Sequence, residues 1–177
     1  VDCEKAYIGL GVSLLDVNAV DEAKQTFEKA IALYPRSADA YAGLGTLYLV
    51  IDQPESAMRA CDMALGLNPC RPKALNGYGI ALDMIGNHEA AQVNYRAALE
   101  KDPGNISYES NLALSMALAG NTTEAIFLLE RLSHSPKANA RVRQNLSLAY
   151  GLAGDMKMAR AIGTVDLSTE WVQNNIK

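Results

Sequence analysis

Catalysis in this chain of 177 residues would have to start from its two histidines, its three cysteines or its carboxylates. An imidazole is the side chain suited to moving protons near neutral pH or to holding a transition metal. His88 and His134 stand far apart, each in a predicted turn, and neither belongs to a cluster of ligand residues at metal-site spacing. Both are expected as solvated surface side chains. Three cysteines make no disulfide framework. Cys61 occupies a place held by Phe27 and Tyr95 in a recurring pattern, so it is expected to be a small buried hydrophobe rather than a reactive thiol. Cys70 falls in the turn after Pro69. Cys3 follows only Val1 and Asp2, without the small-residue context of a lipid-modified cysteine. The pairs Gly9, Gly11 and Gly43, Gly45 are not phosphate loops, because no strand precedes them and no lysine follows. Asn105-Ile-Ser107, Asn121-Thr-Thr123 and Asn145-Leu-Ser147 match the glycosylation triplet, but such triplets arise by chance and Asn145 lies inside a predicted helix. No nucleophile, acid/base pair or metal cluster emerges. The chain is expected to be non-enzymatic, without metal or cofactor.

The glycines and alanines belong to a repeat. Tyr7, Leu10, Gly11, Leu14, Ala23, Phe27, Ala30 and Pro35 return 34 residues later as Tyr41, Leu44, Gly45, Tyr48, Ala57, Cys61, Ala64 and Pro69. A second step gives Leu75, Tyr78, Gly79, Leu82, Ala91, Tyr95, Ala98 and Pro103. Two further steps keep the register with Leu112, Ala113, Met116, Ala125 and Leu129, then Leu146, Ser147, Tyr150 and Ala159. Within each unit the first set falls at i, i+3, i+4 and i+7 and the second at i, i+4 and i+7, which is one stripe on each of two helices. Asn18, Asp52, Gly86, Gly120 and Gly154 are the expected breaks between paired helices. The spacing predicts that Gly11, Gly45, Gly79, Ala113 and Ser147 face Ala23, Ala57, Ala91, Ala125 and Ala159, so that the helices approach closely. Asp52 with Glu55 and Asn121 with Glu124 have capping-box spacing. Pro35, Pro69 and Pro103 each follow a second helix, where a proline ends it.

This pattern resembles the tetratricopeptide repeat family over nearly the whole chain, most closely in the first three units. The resemblance implies an all-α, right-handed α-solenoid of about five helix-turn-helix repeats at 4–37, 38–71, 72–105, 106–139 and 140–166. Residues 167–177 are expected as a C-terminal capping helix, with Trp171 covering the apolar end of the stack. Asn76, Gly77 and Gly79 are expected to make the first helix of unit three the loosest inner one. Ser133-His134-Ser135-Pro136 is the expected site of local mobility.

Composition restricts the partners. With 49% hydrophobic but only 6% aromatic residues, the chain is apolar through alanine and leucine, as close helix packing requires. The net charge of -4, with no lysine or arginine cluster, gives nucleic-acid binding little electrostatic support. No run of about 18 or more apolar residues could span a bilayer. The chain opens almost directly in a helix, as a fragment trimmed from a longer protein would.

In the repeat architecture that the resemblance implies, the first helices line the concave side. There they would present Lys5, Ile8, Val12 and Leu15, then Asp39, Ala42, Thr46 and Leu49, then Lys73, Asn76, Ile80 and Asp83. Ser107, Ser110, Leu114 and Ala117 follow, then Arg141, Gln144, Leu148 and Gly151. The middle row, Val12, Thr46, Ile80, Leu114 and Leu148, is apolar and suits an amphipathic helix or apolar strand of a protein partner. Repeat co-chaperones that grip a C-terminal carboxylate carry a basic, asparagine-rich clamp. Here the clamp positions hold Ile8, Val12, Gly43 and Gly77, with Lys73 the one basic residue, which disfavours that role.

The run Ala140-Arg141-Val142-Arg143-Gln144-Asn145-Leu146, with Ala161-Ile162 and Asp166-Leu167-Ser168 beyond it, resembles TadD-type proteins of the tight-adherence (Flp) pilus. Lys157 and Met158 depart from that family's more acidic helix. The resemblance implies a periplasmic lipoprotein at the outer membrane, a pilotin or assembly factor binding the secretin subunit. The alternative is a cytoplasmic adaptor for a peptide motif. Self-association into a homodimer is a further expectation, because a trimmed first repeat would uncover an apolar end.

Overall fold

A computed structural model describes residues 3–164 as helices joined by short turns, with no strand among them. The chain divides into two compact units, Val1–Asp102 and Pro103–Lys177. The first unit holds α1 (Cys3–Asp16), α2 (Val20–Leu33), α3 (Ala38–Val50), α4 (Pro54–Leu67), α5 (Pro72–Met84) and α6 (His88–Lys101). The second holds α7 (Ile106–Leu118), α8 (Thr122–Ser133), α9 (Ala140–Leu152) and a helix, α10, over 156–164. Each unit is a stack of helix pairs, the α-solenoid arrangement that the repeat predicts. Residues 167–177, including Trp171, lie outside the described residues.

The turn inside each pair has one construction, repeated every 34 residues. Asn18, Asp52, Gly86, Gly120 and Gly154 all adopt positive φ, between 57° and 94°. The next residue donates to the carbonyl five positions back: Ala19 to Leu14, Gln53 to Tyr48, Asn87 to Leu82, Asn121 to Met116 and Asp155 to Tyr150, at 2.8–2.9 Å. This is the Schellman closure, in which a left-handed residue lets the chain satisfy the last carbonyls of a helix. Asn and Asp tolerate that conformation better than other side chains, which is why they can stand in for glycine at two of the five turns.

The capping boxes expected from spacing are absent. Asp52 occupies the left-handed position, Gln53 is the N-cap of α4, and Pro54 begins the helix. Asn121 does cap α8 by position, but its amide donates to the Glu124 carboxylate at 2.7 Å and its side chain accepts no backbone bond. Caps form instead at the starts of three first helices and of α10, where Asp155 accepts from Met158. Ser37 accepts from Ala40, Asn105 from Ser107 and Tyr108, and Asn139 from Val142.

Packing corrects which residues the small ones meet. Ala23, Ala57, Ala91 and Ala125 are fully buried, but a Cβ on Gly11 would strike the Phe27 ring at 2.6 Å, one turn further along α2. A Cβ on Gly45 would strike Cys61 Sγ at 2.8 Å, and one on Gly79 the Tyr95 ring at 2.7 Å. The second side of Phe27 is closed by Gly43, and Gly77 sits 3.1 Å from Cys61 Sγ by the same measure. Phe27 and Cys61 are therefore each seated between glycines of two successive first helices. In α5, Gly77 and Gly79 are buried contact points inside an unbroken helix. The predicted facing holds where a Cβ on Gly45 would also lie 3.6 Å from the Ala57 carbonyl, and in the last pair, where Ser147 Oγ donates to the Ala159 carbonyl at 2.7 Å.

Candidate partner-binding surface

In the first unit α1, α3 and α5 adjoin one another, so their predicted face is continuous within that unit. Ile8, Val12, Leu15, Thr46, Leu49, Asn76, Ile80 and Asp83 are all half-buried. The protein uses part of this face itself. Val12 and Leu15 pack against the core formed by Ala23, Phe27 and Leu47. The Thr46 hydroxyl donates to the Ala42 carbonyl at 3.1 Å, and Ala42, which the spacing places on the face, is buried. Ile8, Leu49 and Ile80 supply the accessible apolar surface.

Asp83 has a structural partner set that spacing did not reveal. It accepts a hydrogen bond from Tyr95 Oη at 2.8 Å, and its other oxygen lies 2.8 Å from His88 Nδ1. His88 is thus the first residue of α6, half-buried and paired, instead of a solvated turn residue. Burial, and then the neighbouring Asp83 carboxylate, push the Tyr95 phenol well above its ordinary range, so it remains a donor. This bond ties α6 to the end of α5. Cys61 is buried, and that burial, with the charge of Asp62 second, raises its thiol to about 12. A thiol held protonated this firmly is a packing group, as its place in the repeat predicts.

In the second unit α7 and α9 adjoin. Leu114 is half-buried, Arg141 and Gln144 are exposed, and Leu148 is 55% exposed. Ser110 and Ala117, which spacing assigns to the face, are buried. Asn145 Nδ2 donates to Ser110 Oγ at 2.9 Å and to the Ser110 carbonyl at 3.3 Å. A glycan could not reach Asn145, because it is buried in this bond. Tyr150 Oη donates to Glu130 Oε1 at 2.5 Å, and that bond, ahead of burial, lifts the phenol to about 12.

Two surfaces escaped the sequence reading. An open groove of about 600 Å³ runs between α9 and α10, walled by Leu148, Leu152 and Met156. Leu152 and Met156 fall outside the repeat stripe; their signal is that they are large, apolar and off-register. Phe127 on α8 is 70% exposed for the same reason, since the buried stripe of α8 is Ala125, Leu129 and Leu132.

Among the described residues no group of three or more His, Cys, Asp or Glu could hold a metal, and no helix is long and apolar enough to cross a membrane. What the face of the second unit presents chemically is apolar surface edged by Arg141 and Gln144, suited to van der Waals recognition of another chain. A tetratricopeptide repeat model matches residues 14–79. No curated protein matches the chain. The fold is shared with TTC0263, a thermophilic tetratricopeptide repeat protein of Thermus thermophilus, at a TM-score of 0.80 and 20% identity, over 90% of this chain and 87% of that one. PilW, a widely conserved type IV pilus biogenesis factor, aligns at a TM-score of 0.78 and 17% identity, over 92% and 75%. The pilF protein of Pseudomonas aeruginosa aligns at 0.72 and 24% identity, over 90% and 72%.

Proposed function

We propose that this protein is a non-enzymatic binding scaffold for the assembly of a pilus of the tight-adherence type, acting as a pilotin or assembly factor for a secretin subunit. The carrying observation is that each unit leaves apolar first-helix residues at least partly accessible: Ile8, Leu49 and Ile80 in the first, Leu114 and Leu148 in the second. Such a face suits the apolar stripe of an amphipathic helix or extended segment, read through spaced anchors. Two supports for the pilus context are the likeness of the Ala140–Leu146 run to TadD-type proteins and the fold shared with PilW, a type IV pilus biogenesis factor. On this reading the protein works in the periplasm, held at the outer membrane by a lipid anchor, and keeps the partner's apolar surface covered before it assembles.

The test is binding of the purified chain to segments of a secretin subunit. Leu148→Asp, a change at an exposed site, and Ile80→Asp, with helicity checked by circular dichroism, are each expected to weaken binding at least about tenfold, as loss of an apolar anchor does. No binding by the unaltered chain, or full binding by both variants, refutes the reading.

A further inference from the structure

We propose that the edge of the first unit formed by its intra-pair turns is a docking surface for a basic amphipathic segment of another protein. α1, α3 and α5 adjoin, and each leads through a short turn into an antiparallel partner, so the turns at 17–19, 51–53 and 85–87 lie along one edge. Val17, Val50, Met84 and Ile85 stand there between 39% and 72% exposed, and none belongs to the buried stripe of its helix. Large aliphatic side chains that return at the same step of the repeat make a row rather than a scatter, and an exposed apolar row marks an interaction surface.

Charge selects the occupant. Asp16 is the last residue of α1 and Asp52 follows the C-cap of α3, both exposed. At a helix C-terminus the backbone dipole favours a cation and disfavours a carboxylate. Among the described residues neither aspartate is ion-paired. No lysine or arginine occurs at 16–23, 50–57 or 84–91, and the first turns of α2, α4 and α6 add further carboxylates. The turns at the opposite edge hold Arg36 and Arg71, so the acidic balance belongs to this edge and not to the unit as a whole. Two carboxylates kept where their own helices disfavour them, beside a row of aliphatic side chains, complement lysines or arginines flanking an apolar stripe. The same charge repels an anionic bilayer or a nucleic acid.

This docking does not depend on what the first-helix faces bind. The probe is a labelled amphipathic peptide of leucine and lysine, with a counterpart carrying glutamate in place of lysine, each titrated with the full chain and read by fluorescence anisotropy. The lysine peptide is expected to bind, its glutamate counterpart not to, and the binding to weaken as salt is added. Val50→Ser combined with Ile85→Ser, both at exposed sites, should weaken it about tenfold, as loss of apolar anchors does. Asp16→Asn combined with Asp52→Asn should weaken it about threefold, the scale of two exposed ion pairs. Thermal stability of that pair should hold or rise, because asparagine keeps the left-handed turn, as Asn18 does, and removes a charge that each helix end disfavours. Equal binding of the two peptides, or binding unchanged in both double variants, overturns the proposal. Loss of binding in Ile80→Asp but in neither pair also overturns it, because the peptide then sits on the first-helix face. Self-association of the chain without peptide that Val50→Ser with Ile85→Ser abolishes would give the edge to a second copy, and capture by phosphatidylcholine vesicles that the same pair abolishes would give it to a membrane; either result overturns the proposal too.

Discussion

The two units join their helix pairs by different chemistry at the same place in the repeat. The column Gly9, Gly43, Gly77, Asn111 and Asn145 recurs every 34 residues and changes from glycine to asparagine between the units. In the first unit, a Cβ at Gly43 would overlap the Phe27 ring, and one at Gly77 would press on Cys61. There the joint is a bulky side chain set into backbone. In the second unit, Asn145 reaches the preceding first helix through its bonds to Ser110. The glycine joint gains stability from close contact and tolerates no added atom, whereas the asparagine joint depends on hydrogen bonds inside a small buried site. A repeat of fixed period can therefore be held by shape in one part and by polarity in another.

The largest effect should come from emptying a glycine joint. Phe27 is fully buried, so Phe27→Ala is expected to cost about 3–5 kcal/mol in denaturant unfolding, the range for removing a core aromatic. Filling the same joint should cost less. Gly43→Val overpacks a ring that Gly11 blocks on its other side, at about 3 kcal/mol. If Gly43→Val leaves the unfolding midpoint unchanged, the joint is not set by shape.

The asparagine joint should respond to pairing rather than to volume. Asn145→Ala leaves the buried Ser110 hydroxyl without its donor and is expected to cost about 2 kcal/mol. Combining Ser110→Ala with Asn145→Leu should cost less than Asn145→Ala alone, because no unpaired polar group remains. A double substitution that costs as much as both single ones added would assign the joint to packing.

A second polar tie in that unit, Tyr150 to Glu130, has a signature in pH. Its phenol is raised from 10 to about 12 in the fold, so the folded state retains a proton that the unfolded chain gives up first. The stabilisation is complete below pH 10 and is lost as pH climbs toward 12. Tyr150→Phe should cost about 1 kcal/mol at neutral pH. It should also flatten that alkaline decline relative to the unaltered protein, read as unfolding free energy against pH; an identical decline in both would remove the bond from the account.

The repeat made the helix pairs and their turns legible, because a left-handed residue is demanded at one fixed step and only Gly, Asn or Asp appear there. It did not give the offset between facing helices. Periodicity says which stripe of α2 meets α1, but not that Gly11 lies over Phe27 one turn beyond Ala23; that depends on the rise and tilt of two helices together. Asp52 misled for a related reason: Asp favours N-caps and left-handed turns alike, and Pro54 shifts the helix start past it. His88 and Asp83 are five apart across a turn, a separation that no helix-face rule reads. On the candidate surface, the row Val12, Thr46, Ile80, Leu114 and Leu148 was visible as a stripe, whereas the burial of Ala42, Ser110 and Ala117 beside it was not, because a stripe carries no information on how closely neighbouring helices approach.

The smallest effect sharpens the comparison most cleanly, since it tests the glycine column against itself. Gly9 heads the column that contains Gly43, yet a Cβ at Gly9 would meet nothing within 4 Å. Both glycines lie in helix interiors, where the residue is intrinsically poor because the unfolded chain has more freedom to lose. If glycine is present at Gly43 because of the ring beside it, the same substitution must have opposite signs at the two sites. Gly9→Ala should gain about 0.5–1 kcal/mol through helix propensity alone. Gly43→Ala should lose stability, as its methyl has to displace the Phe27 ring. Thermal unfolding of the two variants side by side decides it: a gain at both positions would mean that the ring yields freely, and the distinction between a joint held by shape and one held by polarity would fall.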